Sequence, residues 1–152
     1  MRAVLSSGSN MGNARAHLAS VVEEFAGEIV AESSIYATAP WGVTDQPDFL
    51  NQSLIVDVAC TPRELLARCQ RLEQEANRVR EVRWGPRTLD VDIIWIEGYT
   101  SDDPELSVPH PRAHLRRFVL EPWLEMDGEA ELDGASISEL LEGLEDQGVR
   151  KL

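Results

Sequence analysis

Asp90 and Asp92 stand two residues apart in the run Leu89-Asp90-Val91-Asp92-Ile93-Ile94-Trp95. Leu89, Val91, Ile93 and Trp95 alternate with Asp90, Asp92 and Ile94, the period of a half-buried strand, so both carboxylates leave one face. Two residues of strand rise about 6.6 Å, close enough for the charges to repel. A strand keeps such a pair where water screens it or a cation bridges it. Mg²⁺ takes one or two carboxylates together with substrate phosphates. Just upstream are Arg78, Arg80, Arg83 and Arg87, whose guanidinium forks suit phosphate oxygens. Carboxylates for magnesium beside arginines for phosphate are the equipment of phosphoryl transfer. An isolated Asp-x-Asp reads more simply as the wet face of an edge strand. The arginines, with Trp84-Gly85-Pro86 among them, turn the reading toward chemistry.

Other groups have two readings each. Gly8-Ser9-Asn10-Met11-Gly12 looks like a phosphate-cradling loop but lacks the Walker pattern and its lysine, so it is read as a turn needing permissive backbone. His110 and His114 have the spacing of a helical zinc pair, yet Pro111 biases His110 away from helix. A single histidine near Arg112 and Arg116 suits a phosphate contact better. Phe49 and Asn51 share a strand face and, with Thr38, Trp41 and Trp84, suit a flat heterocycle held by stacking and hydrogen bonds. Gln70, Glu73 and Gln74 are either the solvated face of a helix or contacts to a nucleotide, and the sequence leaves both open.

The elements that must position these groups follow from periodicity and end signals. Arg2 to Leu5 reads as a strand. Leu18, Val21, Val22 and Phe25 mark a helix with Asn13 as N-cap and Gly27 at its end. Ile29 to Tyr36 and Leu54 to Val58 read as strands, separated by a long loop from Thr38 to Asp48. Thr61-Pro62-Arg63-Glu64 is a capping box, opening a helix buried through Leu65, Leu66, Cys69 and Leu72. A second long loop, Asn77 to Thr88, carries the arginines into the aspartate strand. An acidic turn spans Gly98 to Glu105, and helices are predicted around Phe118 to Glu125 and after Ser136. Strand, helix, strand, strand, helix, strand is the order of an α+β, ferredoxin-like βαββαβ core, with further helices completing a three-layer α/β/α sandwich.

At 152 residues the chain reads as one domain, 1–152, able to bury a core without staples. With 43% hydrophobic and 27% charged residues it is not a disordered chain. The net charge of −13 argues against a nucleic-acid partner. Seven of the 14 basic residues nonetheless fall between Arg63 and Arg87, so a phosphate ligand stays open. No stretch has transmembrane length and the N-terminus has no signal-peptide core, so a cytoplasmic monomer without membrane partners is expected. Cys60 and Cys69 form no metal or disulfide motif and read as reduced thiols.

Several segments together resemble the 6-hydroxymethyl-7,8-dihydropterin pyrophosphokinase family of folate biosynthesis: Gly8-Ser9-Asn10, Ser34-Ile35-Tyr36-x-Thr38, Gln46-Pro47-Asp48-Phe49-Leu50-Asn51, Gln70-Arg71-x-Glu73, Arg78-x-Arg80, the run from Arg83 to Ile93, Val108-Pro109-His110-Pro111-Arg112 and Arg116-x-Phe118-Val119-Leu120. The resemblance spans nearly the whole chain and implies the three-layer fold with a ferredoxin-like core. It implies transfer of the β,γ-diphosphate of ATP to the pterin's hydroxymethyl oxygen, releasing AMP. Asp90 and Asp92 correspond to ligands of two Mg²⁺ ions. Phe49 and Phe118 correspond to rings that sandwich the pterin, Thr38 and Asn51 to its polar contacts, and Ala39, Trp41 and Trp84 to other parts of that site. Arg78, Arg87, His110 and Arg116 correspond to ATP phosphate contacts, and Gln70, Glu73, Ile93 and Ser107 to the rest of the ATP site. Arg80 and Trp84 correspond to a mobile catalytic loop, with Arg80 and Arg87 counted, like the aspartates, among catalytic residues. Phe49 replaces a tyrosine of some members, Ala39 a frequent proline, Trp41 a common aliphatic residue, and Glu105 a basic residue near the adenosine. Two other classes accommodate the same residues: a Mg²⁺-dependent phosphotransferase moving another group, and a non-catalytic binding module.

Overall fold

A strand with apolar residues at odd and even positions must be covered on both faces, and β1 (Arg2–Ser9) is such a strand. In the computed structural model, which describes residues 1–10, 13–39, 48–78 and 89–152 (77 and 78 by backbone alone), Ala3 and Leu5 enter one hydrophobic cluster and Val4 a second. The chain continues through α1 (Ala14–Glu24), β2 (Ile29–Glu32), β3 (Tyr36–Thr38), β4 (Phe49–Asp57), α2 (Pro62–Arg78), β5 (Asp90–Ile96), β6 (Ser101–Asp103), β7 (Leu106–Val108), α3 (Arg117–Met126), β8 (Glu131–Leu132), β9 (Ala135–Ser136), α4 (Ile137–Glu142) and β10 (Val149–Lys151). The main sheet runs β10-β3-β4-β1-β5, with β2 also on β4, and every pairing is antiparallel. Leu18 and Val21 of α1, Phe25 at its C-terminal cap, and Leu65, Cys69 and Leu72 of α2 fill the first cluster. Val119, Leu120 and Trp123 of α3 and Ile137 and Leu141 of α4 fill the second. No helix among the described residues is long and apolar enough to cross a membrane.

The predicted end signals act locally. The Asn13 side chain accepts a hydrogen bond from the Ala16 N–H at 3.2 Å. Thr61 and Glu64 exchange both capping-box bonds, at 3.0 and 3.2 Å, and the Ser136 hydroxyl accepts from the Glu139 N–H at 3.1 Å. Gly27 holds φ +84° just past α1, where a side chain would be strained. Cys60 and Cys69 are free, and burial pushes the Cys69 thiol up to about 12.

Six expectations need correction. The strand predicted over 2–5 continues to Ser9, because Ser6 to Ser9 pair with β4 rather than forming a turn. The strand predicted over 29–36 is two strands: at Ser33 the backbone N–H still donates to the Ser53 carbonyl, but the Ser53 N–H donates to the Ser33 hydroxyl, which in turn donates to the Ser34 carbonyl. The strand predicted over 54–58 starts at Phe49, and its interior is buried continuously because both its faces are covered. The backbone of α2 runs to Arg78, past the expected end before Asn77. The acidic turn is the β6–β7 hairpin. Trp95 does not continue the alternation of β5: Val4 pairs with Trp95 and Leu5 with Ile93, leaving Ile94 as a bulge, and both Ile94 and Trp95 join the second cluster.

Glu125 ties α3 to the opposite edge of the sheet, at β3 and β10. It accepts from the Ser34 N–H and hydroxyl (2.8 and 2.6 Å) and the Tyr36 hydroxyl (3.0 Å), and pairs with Lys151 at 2.9 Å. Burial alone would raise its carboxyl, but the bonds from Ser34, Lys151 and Tyr36 outweigh burial and hold it down to about 2. Because the folded value lies below the ordinary 4.5, this stabilisation is complete above pH 4.5 and is lost as pH falls toward 2. Urea midpoints of wild type and Glu125→Gln should therefore differ clearly at pH 6, with the gap narrowed at pH 3 and closing only as the pH falls through about 2. A gap of the same size at both pH values would remove Glu125 from the acid response.

Candidate functional site

On the α3 side of the sheet, the residues change from apolar to polar toward one end. Val4, Ile55 and Ile94 lie in the core under the helices. One step along, Ser6 pairs with Ser53 and Asp92, and one further, Gly8 lies between Asn51 and Asp90 in a row across β4, β1 and β5. The first turn of α3 comes down at this end and brings Arg116 and Phe118. Gly8, Thr38, Ala39, Phe49, Asn51, Asp90, Asp92, Arg116, Phe118 and Gln147 line a cleft of about 230 Å³.

Thr38 and Asn51 are 8% and 6% exposed, and the Asn51 amide donates to the Thr38 hydroxyl at 3.3 Å. Phe49 and Phe118 are half-buried, leaving ring surface for a ligand. The Arg116 guanidinium lies 5.5 Å from the centre of the Phe118 ring. Two rings with a buried amide and hydroxyl suit a flat, polar-edged heterocycle. Gly8 makes this floor possible: a Cβ there would lie 2.7 Å from the Asn51 amide oxygen. That oxygen ends a side chain, so Gly8→Ala should displace the amide rather than unfold the protein. The affinity of the cleft for such a heterocycle should drop about tenfold with an almost unchanged melting temperature. Calorimetry checks this, and unchanged affinity would show that Asn51 does not read the ligand.

A second cleft of about 250 Å³ lies beside the edge strand and the β6–β7 hairpin. Its lining includes Asp92, Ile93, Glu105, Ser107 and His110. Asp92 therefore borders both clefts. The His110 N–H donates to the Ile94 carbonyl at 2.8 Å, anchoring the residue at the bulge of β5. Its Nδ1 accepts from the Arg112 N–H at 3.2 Å, leaving Nε2 as the donor of a neutral ring. Burial lowers the His110 pKa, against the opposing pull of Asp92. Ser107 donates its hydroxyl to the Asp103 carbonyl, and Glu105 forms a 3.5 Å ion pair with Arg63.

Two other candidates on the nucleotide side fall differently. Glu73 accepts the Val91 N–H at 2.9 Å, so it braces the aspartate strand from α2. Gln70 is exposed and lines neither cleft. Trp41, Arg80, Trp84 and Arg87 lie outside the described residues, as does the side chain of Arg78.

Among the described residues, no group of three or more His, Cys, Asp and Glu side chains is placed to cage a metal. Two carboxylates on one strand face still fit Mg²⁺, which keeps waters and takes substrate phosphates as its other ligands. Gly8 and Gln147 are the lining residues of the first cleft that sequence reasoning missed. Gly8 was read as a turn, whereas it lies within β1, and its need for a hydrogen side chain appears only when β4 is laid beside it. Gln147 sits in a polar tail with no periodic signal.

The sequence profile of 7,8-dihydro-6-hydroxymethylpterin-pyrophosphokinase matches residues 4–128. The 2-amino-4-hydroxy-6-hydroxymethyldihydropteridine pyrophosphokinase of Mycobacterium tuberculosis is 46% identical over 141 residues, covering 86% of this chain and 75% of that protein. Its counterpart in Methylorubrum extorquens is 40% identical over 155 residues, covering 99% and 98%. A Plasmodium falciparum HPPK-DHPS triple mutant crystallised with pteroate superposes with a TM-score of 0.70 at 14% identity, a likeness of fold alone. That superposition covers 93% of this chain, which spans about 42% of the longer protein. With the profile running through both clefts and these relatives alike along most of their length, the chain belongs to the 7,8-dihydro-6-hydroxymethylpterin-pyrophosphokinase family.

Proposed function

We propose that this protein transfers the β,γ-diphosphate of ATP to the hydroxymethyl oxygen of 6-hydroxymethyl-7,8-dihydropterin, forming the pterin diphosphate and AMP. The observation that carries this is the place of Asp92, shared by an aromatic cleft with hydrogen-bonding walls and a second cleft beside the sheet edge. A group held in the first meets a polyphosphate reaching from the second at the two aspartates. The antiparallel order, with β1 between β4 and β5 and helices on both faces, supports a ferredoxin-like core in three layers.

Phe49 and Phe118 hold the pterin ring, while Asn51 and Thr38 accept and donate along its edge. In the second cleft His110 donates from Nε2 to a phosphate oxygen as a neutral group, with Ser107 and Ile93 beside the nucleoside. Arg116 offers its charge to the transferring phosphates at the first cleft. Asp90 and Asp92 would hold Mg²⁺, which on binding supplies charge neutralisation at the polyphosphate. The hydroxymethyl oxygen bonds to the β-phosphorus, the α–β bridging oxygen leaves with AMP, and the hydroxyl proton passes to solvent. The substrates are two small molecules. We read the protein as a cytoplasmic monomer without a membrane partner, and the charge of −13 argues against nucleic acid as a ligand.

The test is incubation with ATP, Mg²⁺ and the hydroxymethyldihydropterin, with nucleotide products resolved. AMP formed only when the pterin is present is the expected result. ADP or free pyrophosphate as the matching product would assign another phosphotransfer, and no ATP consumption would leave a binding module.

A further inference from the structure

Arg116 and Phe118 reach the cleft from the start of α3, and this start lacks a local cap. The residue before the helix is Arg116 itself, extended, with no side-chain capping bond. A helix N-terminus leaves its first N–H groups without intrahelical partners. Here the Gln147 amide, thirty residues away, supplies one: its oxygen accepts from the Arg117 N–H at 3.0 Å. The same amide donates from its nitrogen to the Leu115 carbonyl at 2.9 Å. One side chain thus grips the backbone on both sides of Arg116 while lining the cleft itself. The grip is reciprocal. Arg117 donates to the carbonyls of Leu141, Leu144 and Glu145 at 3.0, 2.7 and 2.8 Å, holding the segment that presents Gln147.

We propose that Gln147 is a positioning residue for the pterin cleft, acting through the backbone of residues 115–117 to aim Phe118 and Arg116 at the substrate. This rests on the reading of the first cleft as the pterin site. Gln147 lies beyond residue 128, where the match to the family profile stops. A ring one helical turn out of place cannot stack, and small displacements of positioning groups have large effects on binding and rate.

The experiment measures the affinity of the hydroxymethylpterin by calorimetry at 25 °C, with a non-hydrolysable ATP analogue and Mg²⁺ present. Gln147→Met keeps the bulk of the cleft wall and loses both hydrogen bonds. Circular dichroism should show it folded, with pterin affinity lowered about tenfold and the analogue, measured alone, affected several times less. Gln147→Glu keeps the acceptor for the Arg117 N–H and loses the donor, so it should lose less than Gln147→Met. A folded Gln147→Met with pterin affinity within about twofold of wild type, or with equal losses for pterin and analogue, overturns the proposal. Should Gln147→Met fail to fold, Gln147→Glu decides alone, and a loss below about twofold overturns it. A wild-type protein that forms no AMP from ATP and the pterin would sink the catalytic reading. An active wild type matched by an unaltered variant sinks only the role of Gln147.

Discussion

Asp92→Ala is expected to lower AMP formation by about a thousandfold or more, the loss of about 4 kcal/mol of transition-state stabilisation. Asp92 borders both clefts, so in the proposed reaction it is the carboxylate that meets the polyphosphate where the two substrates join. Asp90, one step along the same face beside Gly8, should follow closely. Stability should hold or rise in either variant, because two like charges about 6.6 Å apart oppose each other by on the order of 1 kcal/mol at intermediate dielectric. Initial rates at saturating Mg²⁺ beside melting temperatures give the answer. Turnover near that of wild type would remove the aspartates from the metal, and a large fall in melting temperature would make them structural instead.

Phe118→Ala should weaken pterin binding by about 1–3 kcal/mol, roughly fivefold to 150-fold, by removing one stacking ring with its apolar area. An ATP analogue should bind almost as before, since Phe118 lines the first cleft and not the second. The ring also packs on the second core, so some stability is lost with it. Phe49→Ala, on β4, should show the same preference for the pterin. Titration of both ligands against both variants decides, and equal losses for nucleotide and pterin would mean that the rings serve the fold alone.

What could be read from the chain alone was whatever neighbouring residues determine by themselves. The common face of Asp90 and Asp92 follows from the two-residue period of a strand, whatever lies beside it. Asn13, Thr61 with Glu64, and Ser136 cap helices within three residues of themselves, so their bonds were legible before any tertiary contact was known. The segments around Phe49, Asn51, His110 and Phe118 carried the family resemblance in the same local way.

Tertiary structure decided what depends on partners far along the chain. Trp95 leaves the alternation because β1 pairs with a bulge in β5, and a bulge belongs to the pairing of two strands. The predicted second strand breaks at Ser33, where the Ser53 N–H goes to the Ser33 hydroxyl, and β10 finds an edge on β3 that nothing in residues 149–151 announces. Glu73, open between water and nucleotide in sequence, is committed by the Val91 N–H. Gly8 must lack a side chain only because Asn51 crosses it from a strand more than forty residues on. Gln147 joins the cleft because α3 starts without a cap of its own, and a buried or half-buried N–H takes whichever acceptor the fold brings within reach.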